Sequence, residues 1–154
     1  MLVIINGELE SISRWSVLIQ KDFTFMRRYE IGDETAYRKL ECGAGWSGLI
    51  RGFCKAVAVR YSQDGIEMED IDFVVQRIKA ENGVLSICYG YKADGGIIDE
   101  ARVKLRQDIK NIIRTAEKLS SRICESCGDS GKLRSVDGGV RTLCNSCYEE
   151  HERH

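Results

Sequence analysis

Two pairs of cysteines carry the clearest chemistry in this sequence. Cys124 and Cys127 form one C-x2-C pair, Cys144 and Cys147 a second, and sixteen residues separate the pairs. Thiolates are soft ligands, and two such knuckles closing one loop offer zinc the four tetrahedral corners it prefers. Four thiolates leave no open coordination position, so the expectation is one structural Zn2+ rather than a catalytic ion. A redox C-x-x-C would need a single pair beside a βαβ pattern, and that pattern is missing. Between the pairs, Gly128 relieves the first knuckle, and Asp137-Gly138-Gly139 turns a hairpin from Lys132–Val136 into Val140–Leu143. Cys144 and Cys147 then open a short last helix from Tyr148 to about His151, with His151 read as a tail histidine outside the ligand set. Knuckle, hairpin, then a helix bringing the last two ligands is the treble-clef order.

Other candidate chemistries are weaker. Cys54 and Cys88 are expected to be small buried packing residues. Cys42 lies in a glycine loop and is the cysteine to test for reactivity. Gly43-Ala44-Gly45-Trp46-Ser47-Gly48 matches G-x-G-x-x-G and precedes a helix. A dinucleotide site needs a buried strand just before that motif, and Tyr37-Arg38-Lys39-Leu40-Glu41 is not one. The expectation is instead a glycine-rich approach that lets Trp46 dock into the core. The two histidines, His151 and His154, both lie in the last four positions, which leaves the body without an imidazole base for a serine or cysteine nucleophile. The chain is therefore expected not to be an enzyme.

Around these residues, hydropathy patterning predicts the elements. Leu2–Ile5 reads as a short strand ending at Asn6-Gly7. From Trp15 to Tyr29 a hairpin is favoured, with Val17, Ile19, Phe23 and Phe25 alternating about Lys21-Asp22; a helix using Ile12, Trp15 and Ile19 is the alternative. Residues 30–45 read mostly as loop. Trp46, Leu49, Ile50, Phe53, Val57 and Tyr61 fit one face of a helix that Asp64-Gly65 ends. Ile71–Val75 and Leu85, Ile87, Tyr89 flank Asn82-Gly83 as a hairpin. After Asp94-Gly95-Gly96, Leu105, Ile109, Ile112, Ala116, Leu119 and Ile123 make the apolar seam of a long helix. The expected class is α+β: a small antiparallel sheet of two hairpins packed with two helices. Residues 1–120 form this body with its long last helix, and 121–154 form the finger.

The chain has 154 residues, 43% hydrophobic and 31% charged, with a net charge of −1, which excludes a disordered chain and a general polycation. Charge is nevertheless segregated. Residues 100–123 carry 7 basic and 3 acidic side chains, and Arg102, Arg106, Lys110, Arg114, Lys118 and Arg122 recur every fourth position. Each such step rotates 40°, so this stripe winds across the helix. Asp64, Glu67, Glu69, Asp70 and Asp72 crowd nine positions without the spacing of a calcium loop. Both are candidate partner-binding surfaces. Seven cysteines, with no apolar run long enough for a secretory or membrane segment, point to the cytoplasm and away from membrane partners.

Tyr29-Glu30-Ile31-Gly32, Gly45-Trp46 to Leu49-Ile50, the Val74-Val75-Gln76 hairpin and the closing CESCG…GKLR…GG…RTLC resemble a group of small uncharacterised bacterial and prophage-borne proteins. In these an α/β body precedes a C-terminal zinc finger, often with histidine where Cys147 stands here. The resemblance implies an immunity-type inhibitor of a toxin or another phage-accessory protein binder. The finger, through CESCG and LCNSC, also resembles that of DksA/TraR-type transcription regulators. That implies, as the alternative, a nucleic-acid- or RNA-polymerase-binding regulator working through the basic helix stripe.

Overall fold

A computed structural model describes residues 2–5, 8–27, 37–92 and 98–153. The expected turns at Asn6-Gly7 and Asp94–Gly96, and the expected loop as far as residue 36, lie outside them. Among the described residues the chain is α+β, with three two-stranded antiparallel sheets and four α-helices. The hairpins do not merge into one sheet. β1 (Leu2–Ile5) pairs with β2 (Glu8–Ser11), followed by α1 (Arg14–Asp22) and a 3₁₀ turn at Thr24–Met26. α2 (Ser47–Gln63) leads through a 3₁₀ turn at Met68–Asp70 to the hairpin of β3 (Phe73–Glu81) and β4 (Val84–Tyr91). α3 (Glu100–Ser120) closes the body; β5 (Lys132–Val136), β6 (Gly139–Leu143) and α4 (Asn145–Glu152) follow.

Local chemistry explains most of these boundaries. Asn82-Gly83 and Asp137-Gly138 have positive φ at both positions (53° and 82°, 46° and 76°), the type I′ geometry that matches strand twist. Asp99 caps α3, its carboxylate accepting from the Arg102 N–H at 2.8 Å. Ile50, Phe53, Cys54, Val57 and Tyr61 of α2 are buried together with Trp46 ahead of the helix. They pack with Phe25, Phe73, Ile78 and Leu85 into one core.

Two expectations about the helices are corrected. The segment from Trp15 is helix α1, not a strand of a hairpin. Alternation of Val17, Ile19, Phe23 and Phe25 suggested strands, but Ser16, Val17, Ile19 and Gln20 form the buried helical face. Gln20 is tolerated there because its amide N–H donates to the Arg38 carbonyl (2.8 Å) while its Oε1 accepts from the Arg38 N–H (2.7 Å). That partner lies eighteen residues away, so no local pattern announces it. The seam of α3 is also shifted, through Leu105, Ile109, Ile113, Ala116 and Ser120, with Leu119 42% exposed.

The shift follows from what α3 covers. The outer N–H groups of β4 at Leu85 and Ile87 donate to Ser120 Oγ (2.8 Å) and Glu117 Oε2 (3.0 Å). These bonds satisfy an otherwise bare strand edge, and Ser120 must face inward to make its part. On the other side, Glu41 bridges β3 through Glu41 N–Ile78 O (3.0 Å) and Ala80 N–Glu41 O (2.9 Å). Cys54 is buried as expected, but Cys88 is exposed. Cys88 stands between Ile87 and Tyr89, both turned to the core, so the alternation of β4 itself points it outward.

Candidate metal centre

Cys124, Cys127, Cys144 and Cys147 converge, with all four sulfurs within 4.8 Å of one another and the Cys127 and Cys144 sulfurs 3.6 Å apart. Each is aimed by backbone geometry. Gly128, at φ +86°, closes the first knuckle through its N–H to the Cys124 carbonyl (2.9 Å), and the Asp129 N–H points at Cys127 Sγ (3.5 Å). Cys144 is the N-cap of α4, its sulfur accepting from the Cys147 N–H at 3.4 Å. Burial opposes ionisation of Cys124, but the backbone N–H groups of Cys144, Cys127 and Ser126 outweigh it and bring the thiol down to about 6. Cys147 is pushed up by sharing a hydrogen bond with Cys144. Four such groups cannot all ionise side by side without a cation between them, so the donor set fits a metal ion. The knuckle, the β5–β6 hairpin and α4 stand in the expected treble-clef order. His151 bonds Asp137 (2.7 Å) across the hairpin turn and takes no part in the sulfur set.

This unit has little core of its own: buried Cys124, Val136 and Leu143, with Tyr148 packed beside them. Arg134 stacks on the Tyr148 ring at 4.6 Å and donates to the Leu143 carbonyl at 2.9 Å, tying hairpin to helix. A segment this small normally needs metal or a neighbour to hold it.

The neighbour is the body, and the G-x-G stretch is where the two meet. Gly45 N–H donates to the Glu125 carbonyl (2.7 Å), Gly43 N–H to Glu125 Oε2 (3.1 Å), and Trp46 Nε1 to the Ile123 carbonyl (2.8 Å). A Cβ at Gly45 would lie 2.1 Å from the Cys124 carbonyl oxygen, and one at Gly43 would lie 2.4 Å from that of Glu125. These glycines provide room for the first metal knuckle, whereas Gly48 has nothing within 4 Å. Trp46 is fully buried, as expected, and its indole N–H holds the chain entering the knuckle. A second contact joins the hairpins. Buried Thr142 donates its hydroxyl to the Gly83 carbonyl (2.6 Å), and Leu133 crowds Gly83 so closely that a Cβ there would stand 2.6 Å from its methyl. Glu125, though charged, is buried and answered by Arg141 at 3.1 Å. Neither role of the G-x-G motif nor that of Glu125 was read from the sequence. The signal available was a glycine pair with no phosphate-binding strand ahead of it.

The remaining candidates divide. Asp72 accepts from Tyr61 Oη (2.7 Å), Arg102 (2.7 Å) and Arg106 (3.4 Å), while Arg106 lies 4.1 Å over the Tyr91 ring. The acidic run and the basic stripe thus meet at their near ends and neutralise one another. Asp64 pairs with Arg60 at 3.0 Å. Glu67, Glu69 and Asp70 are exposed around the 3₁₀ turn, and Lys110, Arg114 and Lys118 are exposed on α3 with no ion pair among the described residues. Cys42 is half-buried, and burial together with the charge of Glu125 pushes its thiol up to about 12, which makes it a poor nucleophile. No helix among the described residues is long and apolar enough to cross a membrane. Comparison with protein-family models, with curated proteins and with solved structures found no match to this chain.

Proposed function

We propose that this chain is a zinc-stabilised, non-enzymatic protein-binding module. The observation that carries the reading is the sulfur geometry. A Zn–S bond of about 2.3 Å at tetrahedral angles places sulfurs roughly 3.8 Å apart, against 3.6 Å for Cys127 and Cys144 and a spread within 4.8 Å for all four. One ion held this way has a filled shell. Its work is structural: it fixes the knuckle that Gly43, Gly45 and Trp46 grip.

The surfaces then offered to a partner are Glu67, Glu69 and Asp70 on one side and Lys110, Arg114 and Lys118 on another. Asp72, Arg102 and Arg106 are spent on each other and serve to hold α3 against β3. Charged rims of this kind set association rate and partner choice more than affinity. The resemblance to small prophage-borne proteins makes an immunity-type inhibitor of a toxin, or a phage-accessory modulator, the concrete form of this reading. Cytoplasmic residence follows from seven thiols that need a reducing compartment. The test is cross-linking of the tagged, intact protein in its own host cells. A stoichiometric protein partner lost on Glu67→Lys, Glu69→Lys, Asp70→Lys supports the reading. Identical capture by the wild type, by that variant and by one reversed at Lys110, Arg114 and Lys118 overturns these surfaces.

The unpaired cations on α3 favour one second reading, a nucleic-acid- or RNA-polymerase-binding regulator. Neutralising three duplex phosphates gives a slope of log affinity on log salt of about −2.7. Binding that is absent or insensitive to salt removes it.

A further inference from the structure

α2 and α3 run antiparallel, since Arg60 near the end of α2 meets Asp108 early in α3 (2.8 Å) while Trp46 before α2 meets Ile123 after α3 (2.8 Å). Between them lies an open apolar groove of about 440 Å³, lined by Gly48, Leu49, Gly52, Ile112, Thr115 and Leu119 among others. Gly48 and Gly52 stand one turn apart, and no atom lies within 4 Å of where either Cβ would be. The groove exists because α2 carries hydrogen where any side chain would fill it. Ile112 and Leu119, which a seam reading puts in the core, are turned to its wall, and Leu119 is 42% exposed.

Charge decides the occupant. At 100° per residue, Lys55 lies 20° outside Gly48 on α2, and Lys118 lies 20° outside Asn111 on α3, so each rim is cationic. Both lysines are exposed and make no ion pair among the described residues. The acids nearest the groove are engaged: Asp108 with Arg60 and Lys104, and Glu117 with the Ile87 N–H. We infer that this groove receives an acidic amphipathic helix of a protein partner. A trough between two antiparallel helices has the width for a third, and the span from Gly48 to Ala56, about 12 Å, seats two to three turns. Such a helix presents apolar anchors at i, i+3 or i+4 and i+7 to the floor and carboxylates to the two lysines. The inference rests on the protein-binding reading above and names an apolar surface for it that shares only Lys118 with the charged ones.

The experiment is selection of a displayed library of helical peptides on the intact, zinc-loaded protein, with affinities then measured by fluorescence anisotropy. Enriched peptides should carry the i, i+3/i+4, i+7 apolar pattern with Asp or Glu on its flanks. Gly52→Phe, which fills the groove without touching the core, should weaken them by at least about 30-fold. Lys55→Glu with Lys118→Glu should weaken them by at least about tenfold. Circular dichroism and melting of both variants must match the wild type. Peptides that bind Gly52→Phe unchanged, or that lack acids and ignore the charge reversal, overturn the groove while leaving protein binding in place. No enrichment overturns it as well, and when joined to no cross-linked partner in cells it removes the broader reading.

Discussion

Gly45→Ala adds a single methyl group, and the structure assigns it a large effect. The new Cβ would stand 2.1 Å from the Cys124 carbonyl oxygen and 2.5 Å from that of Glu125, both backbone atoms that no rotamer change can move. Ordinary contact begins at 3.4 Å, so the knuckle must retreat by about 1.3 Å. The Gly45–Glu125 bond, now 2.7 Å, would open to about 4 Å, and the Gly43 and Trp46 bonds to the same segment would loosen with it. Each buried polar group left unmet costs about 1–3 kcal/mol. The expected loss is about 3 kcal/mol, which at this length lowers Tm by roughly 10 °C. Gly48→Ala is the internal control. It has open space around it and sits in the first turn of α2, so it should be neutral or stabilise by up to about 1 kcal/mol. Urea unfolding of the metal-loaded proteins, with zinc release to a chromophoric chelator followed in parallel, measures both effects. Gly45→Ala should also speed release, since the cradle steadies the first two ligands. Equal stability of Gly45→Ala and wild type, or equal damage from the two alanines, would refute the cradle.

Three further outcomes follow from the same geometry. One Zn2+ per chain should be recovered by elemental analysis, Co2+ should give the intense thiolate charge-transfer bands of a tetrahedral S4 site, and Cys144→Ser should weaken the metal site while its hydroxyl keeps the N-cap of α4. In the metal-loaded protein a thiol reagent should find Cys88 promptly, Cys42 slowly and the other five only after unfolding and chelation, for seven in all; rapid reaction of Cys42 would contradict its raised thiol. Burial pushes Tyr91 up to about 12 and Tyr61 higher still, the latter helped by its bond to Asp72. The folded state therefore holds more protons than the unfolded state above pH 10, so stability should fall as pH rises past 10. Tyrosinate absorbance from these two should appear only with unfolding.

Local rules sufficed wherever an element depends on its own residues. The Asn82-Gly83 and Asp137-Gly138 turns, the buried face of α2 and the C-x2-C pairs each require particular residue types at short spacing, and those types are visible in the string. Four thiols at that spacing announce a shared ion because a knuckle is closed by its own backbone N–H groups. Where an element depends on a distant partner, the string is silent. Val17, Ile19, Phe23 and Phe25 alternate like strand residues, yet Gln20 finds Arg38 and residues 14–22 coil. Ser120 displaces Leu119 from the buried face of α3 because the edge of β4 needs a hydroxyl there. Asp72 and Arg102, thirty residues apart, read as two surfaces and fold into one ion cluster. Most telling is Gly43-Ala44-Gly45, whose spacing mimics a phosphate loop. Only the arrival of Cys124 and Glu125 against it, some eighty residues later in the chain, reveals that the missing side chains make room for the metal knuckle, because steric exclusion is a property of two surfaces and sequence presents them one at a time.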